Sequence, residues 1–251
     1  MRLDKFLCQA GVLSRRDAGR AIRGGRVLLN GSKPARADMQ IDEQRDKITL
    51  DGFPVVYAPY VYIWLNKPAG YVSATEDCRL PVVTALLPEA LQRRGVFPCG
   101  RLDRDTVGWM LLTDDGALSH QLLSPRHHVE KVYRFTSAFP LREDAERKAA
   151  EGIRLDDGTL CKSAKLIAAP DRMGGVITLT EGRYHEIKRM LEALDNKVTS
   201  LRRIAFGGIP EDTALPSGAW RYATDEEIAI LRAAVKPCPL DTTTDRKDEN
   251  K

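Results

Sequence analysis

At 251 residues the chain exceeds one average domain, and its apolar share of 43% is ordinary for a globular protein able to bury a sizeable core. No apolar run is long enough to span a bilayer and the early Asp4 and Lys5 do not suit a signal peptide. Five scattered cysteines without C-x-x-C spacing suggest neither a disulfide framework nor a zinc site, so a reduced, cytoplasmic protein away from membranes is expected. The formal charge is only +4, yet residues 1–36 carry nine Lys or Arg against Asp4 and Asp17, leaving the rest of the chain net acidic. Such a local excess suits a polyanion binder, because neutralising phosphates releases condensed counterions.

The first elements carry that charge. A short helix with Leu3, Phe6 and Leu7 apolar comes first. Ser14 followed by Asp17 then resembles a capping box, opening a helix with Ala18, Ala21 and Ile22 on one face and Arg16, Arg20 and Arg23 on the other. Gly24-Gly25 should stop it, Val27 to Leu29 reads as a strand, and Asn30-Gly31 is a strong two-residue hairpin turn. An arginine stripe is often only a solvated face, but here few acids lie within the segment to pair with it, and Lys33 and Arg36 extend it. The pattern M-R-L-D-K-F-L followed by S-R-R-D-A-G-R-A-I-R-G-G-R-V-L-L-N-G resembles the αL, or S4-like, RNA-binding module of a small-subunit ribosomal protein and several RNA-modifying enzymes.

An uncharged stretch with two prolines, Gly52 to Tyr60, suits an extended connector. The expected division is therefore a module at 1–52, a linker at 53–60, a larger domain at 61–233 and a disordered tail at 234–251, rich in Pro, Thr, Asp and Lys. In the larger domain, Val61 to Leu65 reads as a strand closed by a turn at Asn66-Lys67-Pro68-Ala69-Gly70. A helix near Val83 to Arg93, a loop around Asp103 and an apolar run from Val107 to Leu112 come next. The pattern then gives a helix from Leu118 toward Leu123 that Pro125 ends, a strand near Val132 to Phe135 and a charged helix from Leu141 to Glu151. A turn at Met173-Gly174-Gly175 leads into a strand, Val176 to Thr180, and a helix runs from about Tyr184 to Leu194 with Ile187, Met190, Leu191 and Leu194 as its core stripe. Without a steady βαβ repeat, the expected class is α+β, with a mixed, mostly antiparallel sheet flanked by helices.

The run G-R-L-D-R-D-T-V-G-W-M-L-L-T-D-D-G, Gly100 to Gly116, carries the chemistry. Asp103 two residues after Arg101, anchored by the apolar run behind it, suits a nucleophile held at the edge of a packed element. Read locally it is also compatible with a surface turn, or with the D-x-D-x-[TV] pattern of magnesium-dependent phosphatases through Asp103, Asp105 and Val107. The phosphatase pattern, however, needs an apolar strand before its first aspartate, where Phe97-Pro98-Cys99-Gly100-Arg101 stands. His127 and His128, flanked by Arg126 and Lys131, would repel a metal ion rather than bind one.

Two further segments share the theme: S-P-R-H-H-V-E-K-V-Y, Ser124 to Tyr133, and E-G-R-Y-H-E-I-K-R-M, Glu181 to Met190. Taken singly, Tyr133 fits a core strand and Lys188 with Arg189 fits a solvated helix. Together with L-N-K-P-x-G and the Asp103 block they resemble a ribosomal RNA pseudouridine synthase, more narrowly the small-subunit branch, over residues 1 to about 230. That resemblance implies Asp103 as the nucleophile toward a flipped uridine, Tyr133 as the ring that packs on the base and takes part in removing the carbon-5 proton, and Lys188 as the cation paired with Asp103. It further implies Arg101, Arg126 and Arg183 as RNA contacts beside Arg16, Arg20 and Arg23, with Asp105 and Thr106 as loop supports. Isomerisation needs no redox change and no net water, so neither cofactor nor metal is implied. The expected partner is 16S ribosomal RNA, at the uridine-516 class of site, or an assembling small subunit, met by a monomer. Large-subunit RNA and a non-catalytic assembly role remain open alternatives. Trp109 departs from the smaller aliphatic residues usual at that position and is expected in the core.

Overall fold

A computed structural model describes residues 1–55 and 57–235. Its N-terminal part packs α1 (Leu3–Gln9) and α2 (Arg15–Arg23) on an antiparallel sheet of β1 (Val27–Leu29), β2 (Ile48–Leu50) and β3 (Phe53–Pro54). The Ser14 hydroxyl accepts the Asp17 backbone N–H at 3.1 Å, satisfying a donor that the first helical turn leaves free. Ala18, Ala21 and Ile22 are buried with Leu3, Phe6 and Leu7, which leaves Arg16, Arg20 and Arg23 in solvent.

The Asn30-Gly31 turn forms with both residues at positive φ, and Leu29 and Ser32 exchange backbone hydrogen bonds of 2.8 and 3.0 Å across it. No hairpin grows from it, since Pro34 just beyond lacks an N–H; β1 pairs instead with β2, guided by Asn30, whose side chain bonds Asp46 and the Lys47 N–H. The sheet also reaches past the expected boundary. Phe53–Pro54 is its third strand, and Val55 and Tyr57 pack on the same core, so the connector begins as a strand.

The larger part is built on β4 (Tyr62–Lys67), β5 (Phe97–Pro98), β6 (Val107–Thr113), β7 (Lys131–Ser137), β8 (Lys165–Ala168), β9 (Gly174–Leu179), β10 (Val198–Phe206), β11 (Ile209–Pro210) and β12 (Trp220–Tyr222). The strand order is β12-β4-β6-β10-β7-β9-β8, with β5 beside β6 and β11 beside β10; only β6 and β10 run parallel. The sheet is therefore mixed and mostly antiparallel, as expected. Helices α3 (Glu89–Arg93), α4 (Gly116–Leu123), α5 (Ala145–Glu151), α6 (Glu186–Glu192) and α7 (Asp225–Ala233) flank it.

Alternation sorts the central strands onto two cores. Ile63, Leu65, Met110 and Leu112 face one with Leu91 of α3, Ala149 of α5 and Ile187 of α6, whereas Tyr62, Trp64, Trp109 and Leu111 face the other with Leu122 of α4 and Leu231 of α7. Trp109 accordingly stacks on Trp64, ring centroids 4.8 Å apart, and lies outside the cleft described below.

Local departures from the sequence reading have local causes. The strand beginning near Val61 continues through Asn66 and Lys67 before Pro68 ends it. The helix expected over 83–93 splits into a 3-10 turn, Val83–Leu86, and α3, because Pro88 holds Leu87 extended. Gly174 and Gly175 lie inside β9 rather than in a turn. The sequence pattern gives no sign of strands β2, β5, β8, β10, β11 and β12 or of helix α7, and marks β6 only as an apolar run. Within the expected tail, Ala234 caps α7 and Val235 is buried, while 236–251 lie outside the described residues.

One buried cation ties the two parts together. The Arg94 guanidinium, just beyond α3, pairs with Asp114 at 2.6 Å and donates to the carbonyls of Gln9 and Ala58, each at 2.5 Å. Asp114 in turn accepts the Val61 N–H at 2.7 Å, so module, connector and sheet meet at one side chain.

Candidate active site

A cleft of about 770 Å³ opens where the loop before β6 meets β7, β10 and the start of α6. Asp103, Tyr133, Lys188, Arg101 and Arg183 all line it. Arg126 is exposed outside it, as are Arg16, Arg20 and Arg23 on α2. Of these three, Arg20 pairs with Asp17 at 3.3 Å; among the described residues no carboxylate pairs with Arg16 or Arg23. Acids beyond the basic segment do reach back into it, Asp51 to Arg26 and Asp38 to Arg36, so the patch is partly neutralised.

The Lys188 ammonium stands 3.0 Å from Asp103 Oδ2, and it also bonds both oxygens of Asp105 at 2.7 and 2.9 Å. Burial opposes its charge, but the bonds to Asp105 and Asp103 outweigh that and raise its pKa; in return, the Lys188 hydrogen bond lowers that of Asp105. Asp105 therefore competes for the cation that steadies Asp103, a contact the sequence reading passed over. The same geometry counts against the phosphatase alternative, since an ammonium occupies the space between two carboxylates that a divalent ion would need. His185 Nε2 lies 3.6 Å from Asp103 Oδ1 on the other side.

Beneath the loop, Lys67 is completely buried at the end of β4. Its ammonium donates to the carbonyls of Pro68 (3.1 Å), Asp103 (3.1 Å), Arg104 (3.3 Å) and Thr106 (2.8 Å). Burial pulls its pKa down to about 8, against the pull of Asp105 and Asp103, so it remains mostly charged at neutral pH. One cation thus gathers the carbonyls of Asp103, Arg104 and Thr106 and fixes the backbone that presents the Asp103 carboxylate to the cleft.

Tyr133 forms the floor, buried, with its phenol pKa pushed up by that burial and held back by Arg203. Arg203 is its cross-strand partner on β10 and is only 1% exposed. The guanidinium donates from Nε to the Trp109 carbonyl at 2.6 Å and lies 5.0 Å from the Phe206 ring, while Nη2 is buried without a partner. Gly108, φ 104°, makes room for this strand: a Cβ there would fall 2.4 Å from the Arg203 carbonyl oxygen. The signals for both cations were faint. Lys67 ends an apolar strand before a proline, and Arg203 keeps phase with the buried Leu201 but stands beside a second arginine, Arg202.

Behind α6, Cys161, Glu181 and Glu186 form the one group among the described residues whose ligand atoms are close enough to hold a metal ion. Its chemistry suits a hydrogen-bonded carboxyl pair better. Burial pushes the Cys161 thiol up to about 11 and Glu186 up to about 7, so neither favours its anionic form; Glu181 is already occupied by the Lys162 N–H and Arg183.

Residues 61–193 match the family described as RNA pseudouridylate synthase, and residues 1–43 match the S4 domain. The chain belongs to the RNA pseudouridylate synthase family. Its relatives include ribosomal small subunit pseudouridine synthase A of Escherichia coli, 42% identical over 92% of this chain and all of that one. An uncharacterized RNA pseudouridine synthase of Bacillus subtilis is 37% identical over 92% of this chain and 98% of its own. A crystal structure of a pseudouridylate synthase superposes with a TM-score of 0.65 at 38% identity, covering 92% of this chain and 99% of that one. This pseudouridine synthase carries its S4 domain ahead of the catalytic sheet, and among the described residues no helix is long and apolar enough to cross a membrane.

Proposed function

We propose that this pseudouridine synthase acts on small-subunit ribosomal RNA, at a uridine of the uridine-516 class, with Asp103 as nucleophile. The observation that carries the reading is the Asp103–Lys188 ion pair of 3.0 Å in a cleft floored by Tyr133. A flipped uridine enters with its sugar beside Asp103. The carboxylate, held beside the Lys188 ammonium, attacks the anomeric carbon, and the glycosidic electron pair leaves on uracil N1.

Uracil then turns in the cleft so that carbon-5 faces the anomeric carbon. A carbon–carbon bond forms there and Asp103 departs as carboxylate. Tyr133 takes part in moving the carbon-5 proton, N1 gains a proton, and atoms balance without a redox partner or net water. Arg101 and Arg183 hold backbone phosphate at the cleft, and Arg16, Arg20 and Arg23 hold flanking RNA through the S4 domain. The small-subunit assignment is supported by the Escherichia coli relative named above.

Tritium release from a small-subunit rRNA transcript labelled at uridine carbon-5 tests the chemistry. Native protein should release label, and Asp103→Asn should lose at least roughly a thousandfold in rate, the scale on which loss of a covalent nucleophile acts. Equal release by both would remove Asp103 from that role. Mapping pseudouridines in ribosomal RNA from cells lacking the gene tests the target.

A further inference from the structure

The mouth of the cleft differs from its floor. Between β9 and α6 the chain turns through Gly182, Arg183, Tyr184 and His185, and His185 sits in the left-handed region at φ 50°, ψ 34°. That conformation is unfavourable for a residue with a Cβ, and such strain persists only where the surroundings impose it. In an extended strand consecutive side chains point to opposite sides; here the Tyr184 and His185 rings stack, centroids 3.9 Å apart and 18° from parallel. Tyr184 is 71% exposed, so its ring contributes little to the core. His185 at the inner end reaches Asp103, and Arg101, Arg104 and Arg183 line the same cleft.

We infer that the Tyr184–His185 stack is a platform for the base of a nucleotide flanking the target uridine, with that base laid on the open face of Tyr184. The inference rests on the RNA reading above and deepens it. A nucleobase is the occupant that fits, because a flat aromatic face asks for another flat face while the surrounding guanidiniums ask for phosphate; nucleotides supply both in one repeat. The platform also suits the reaction. A uridine lifted from its helix leaves a neighbour with one face uncovered, and Tyr184 replaces the lost stacking at the point where the chain bends toward Asp103.

The test is direct binding, which needs no turnover, so it stands apart from the chemistry read by tritium release. Filter binding compares native protein, Tyr184→Ala and Tyr184→Phe on the small-subunit transcript, intact or abasic at each neighbour of the target uridine. Native protein should lose about tenfold in affinity when one of the two neighbours is abasic, within the range of aromatic stacking on a base. Tyr184→Ala should lose the same tenfold on intact RNA and be indifferent to the abasic site, and Tyr184→Phe should behave as native. Native-like affinity of Tyr184→Ala on intact RNA, undiminished sensitivity of that variant to the abasic site, or equal affinity in every combination would each overturn the platform.

Discussion

Two groups of cations in this protein show opposite uses of the same charge. On α2, Arg16, Arg20 and Arg23 project into solvent from a helix whose other face is packed, and only Arg20 has a carboxylate partner among the described residues. In the catalytic sheet, Lys67 and Arg203 are buried and donate to backbone carbonyls rather than to carboxylates. Exposed charges act over a Debye length and lose strength as salt rises; buried ones act through fixed hydrogen bonds and set geometry. The comparison teaches that electropositive character alone does not define the site. What the catalytic part adds is cations aimed at backbone carbonyls, Lys67 at the loop that carries Asp103 and Arg203, the cross-strand neighbour of Tyr133, at Trp109 of β6.

The largest expected effect comes from removing the buried kind. Lys67→Met, similar in length but neutral, leaves the Asp103, Arg104 and Thr106 carbonyls without their shared donor. It should cost about 2–4 kcal/mol in urea unfolding and slow tritium release by roughly 100-fold, the scale of misplacing a reacting group by about an ångström. A variant as active as native protein would erase the distinction drawn here. The exposed kind should behave differently: Arg16, Arg20 and Arg23 all changed to Ala should flatten the log–log salt dependence of RNA affinity by about 2–3 while leaving the saturated single-turnover rate near native. An unchanged slope would take α2 off the RNA.

The smallest effect sharpens the comparison from the acid side. Burial raises Glu186 from its ordinary 4.5 to about 7, so the folded protein holds a proton that the unfolded chain has already released. Its contribution to stability is therefore full below about pH 4.5 and is lost as pH rises through about 7. Glu186→Gln, permanently neutral, should gain on native protein in Tm between about pH 5 and pH 8, and a difference independent of pH would show that the carboxyl does not titrate in that window.

How far the sequence could be read follows from how local each signal is. The two N-terminal helices and strands β4 and β7 were legible because caps, turns and residue preference lie within a few residues of one another, whereas β6 showed only as an apolar run, whose period does not tell strand from buried helix. Asp103, Tyr133 and Lys188 were legible as a set only through resemblance, and the fold brings all three to one cleft. Strand β10 escaped, although it joins β6 to β7, because its register against β7 shifts between Arg203 and Ala205 and the period-two pattern breaks there. With β10 unseen, Arg203 had no partner strand and no reason to be read as buried. Lys67 escaped for a related reason: a lysine after an apolar run reads as a strand end until the carbonyls around it are known. Asp105 was placed correctly on the loop, but its hold on Lys188 comes from α6, 83 residues away.

The paired indoles of Trp64 and Trp109 carry a practical consequence. They are two of only three tryptophans in the chain, they lie nearly parallel in the core behind the catalytic sheet, and neither lines the cleft. Closely stacked indoles couple their strong far-ultraviolet transitions, so a far-ultraviolet circular dichroism couplet should report whether β4 and β6 still lie side by side. Every cleft variant therefore travels with its own optical witness: a dead enzyme with the couplet intact has lost chemistry, and one without it has lost its sheet.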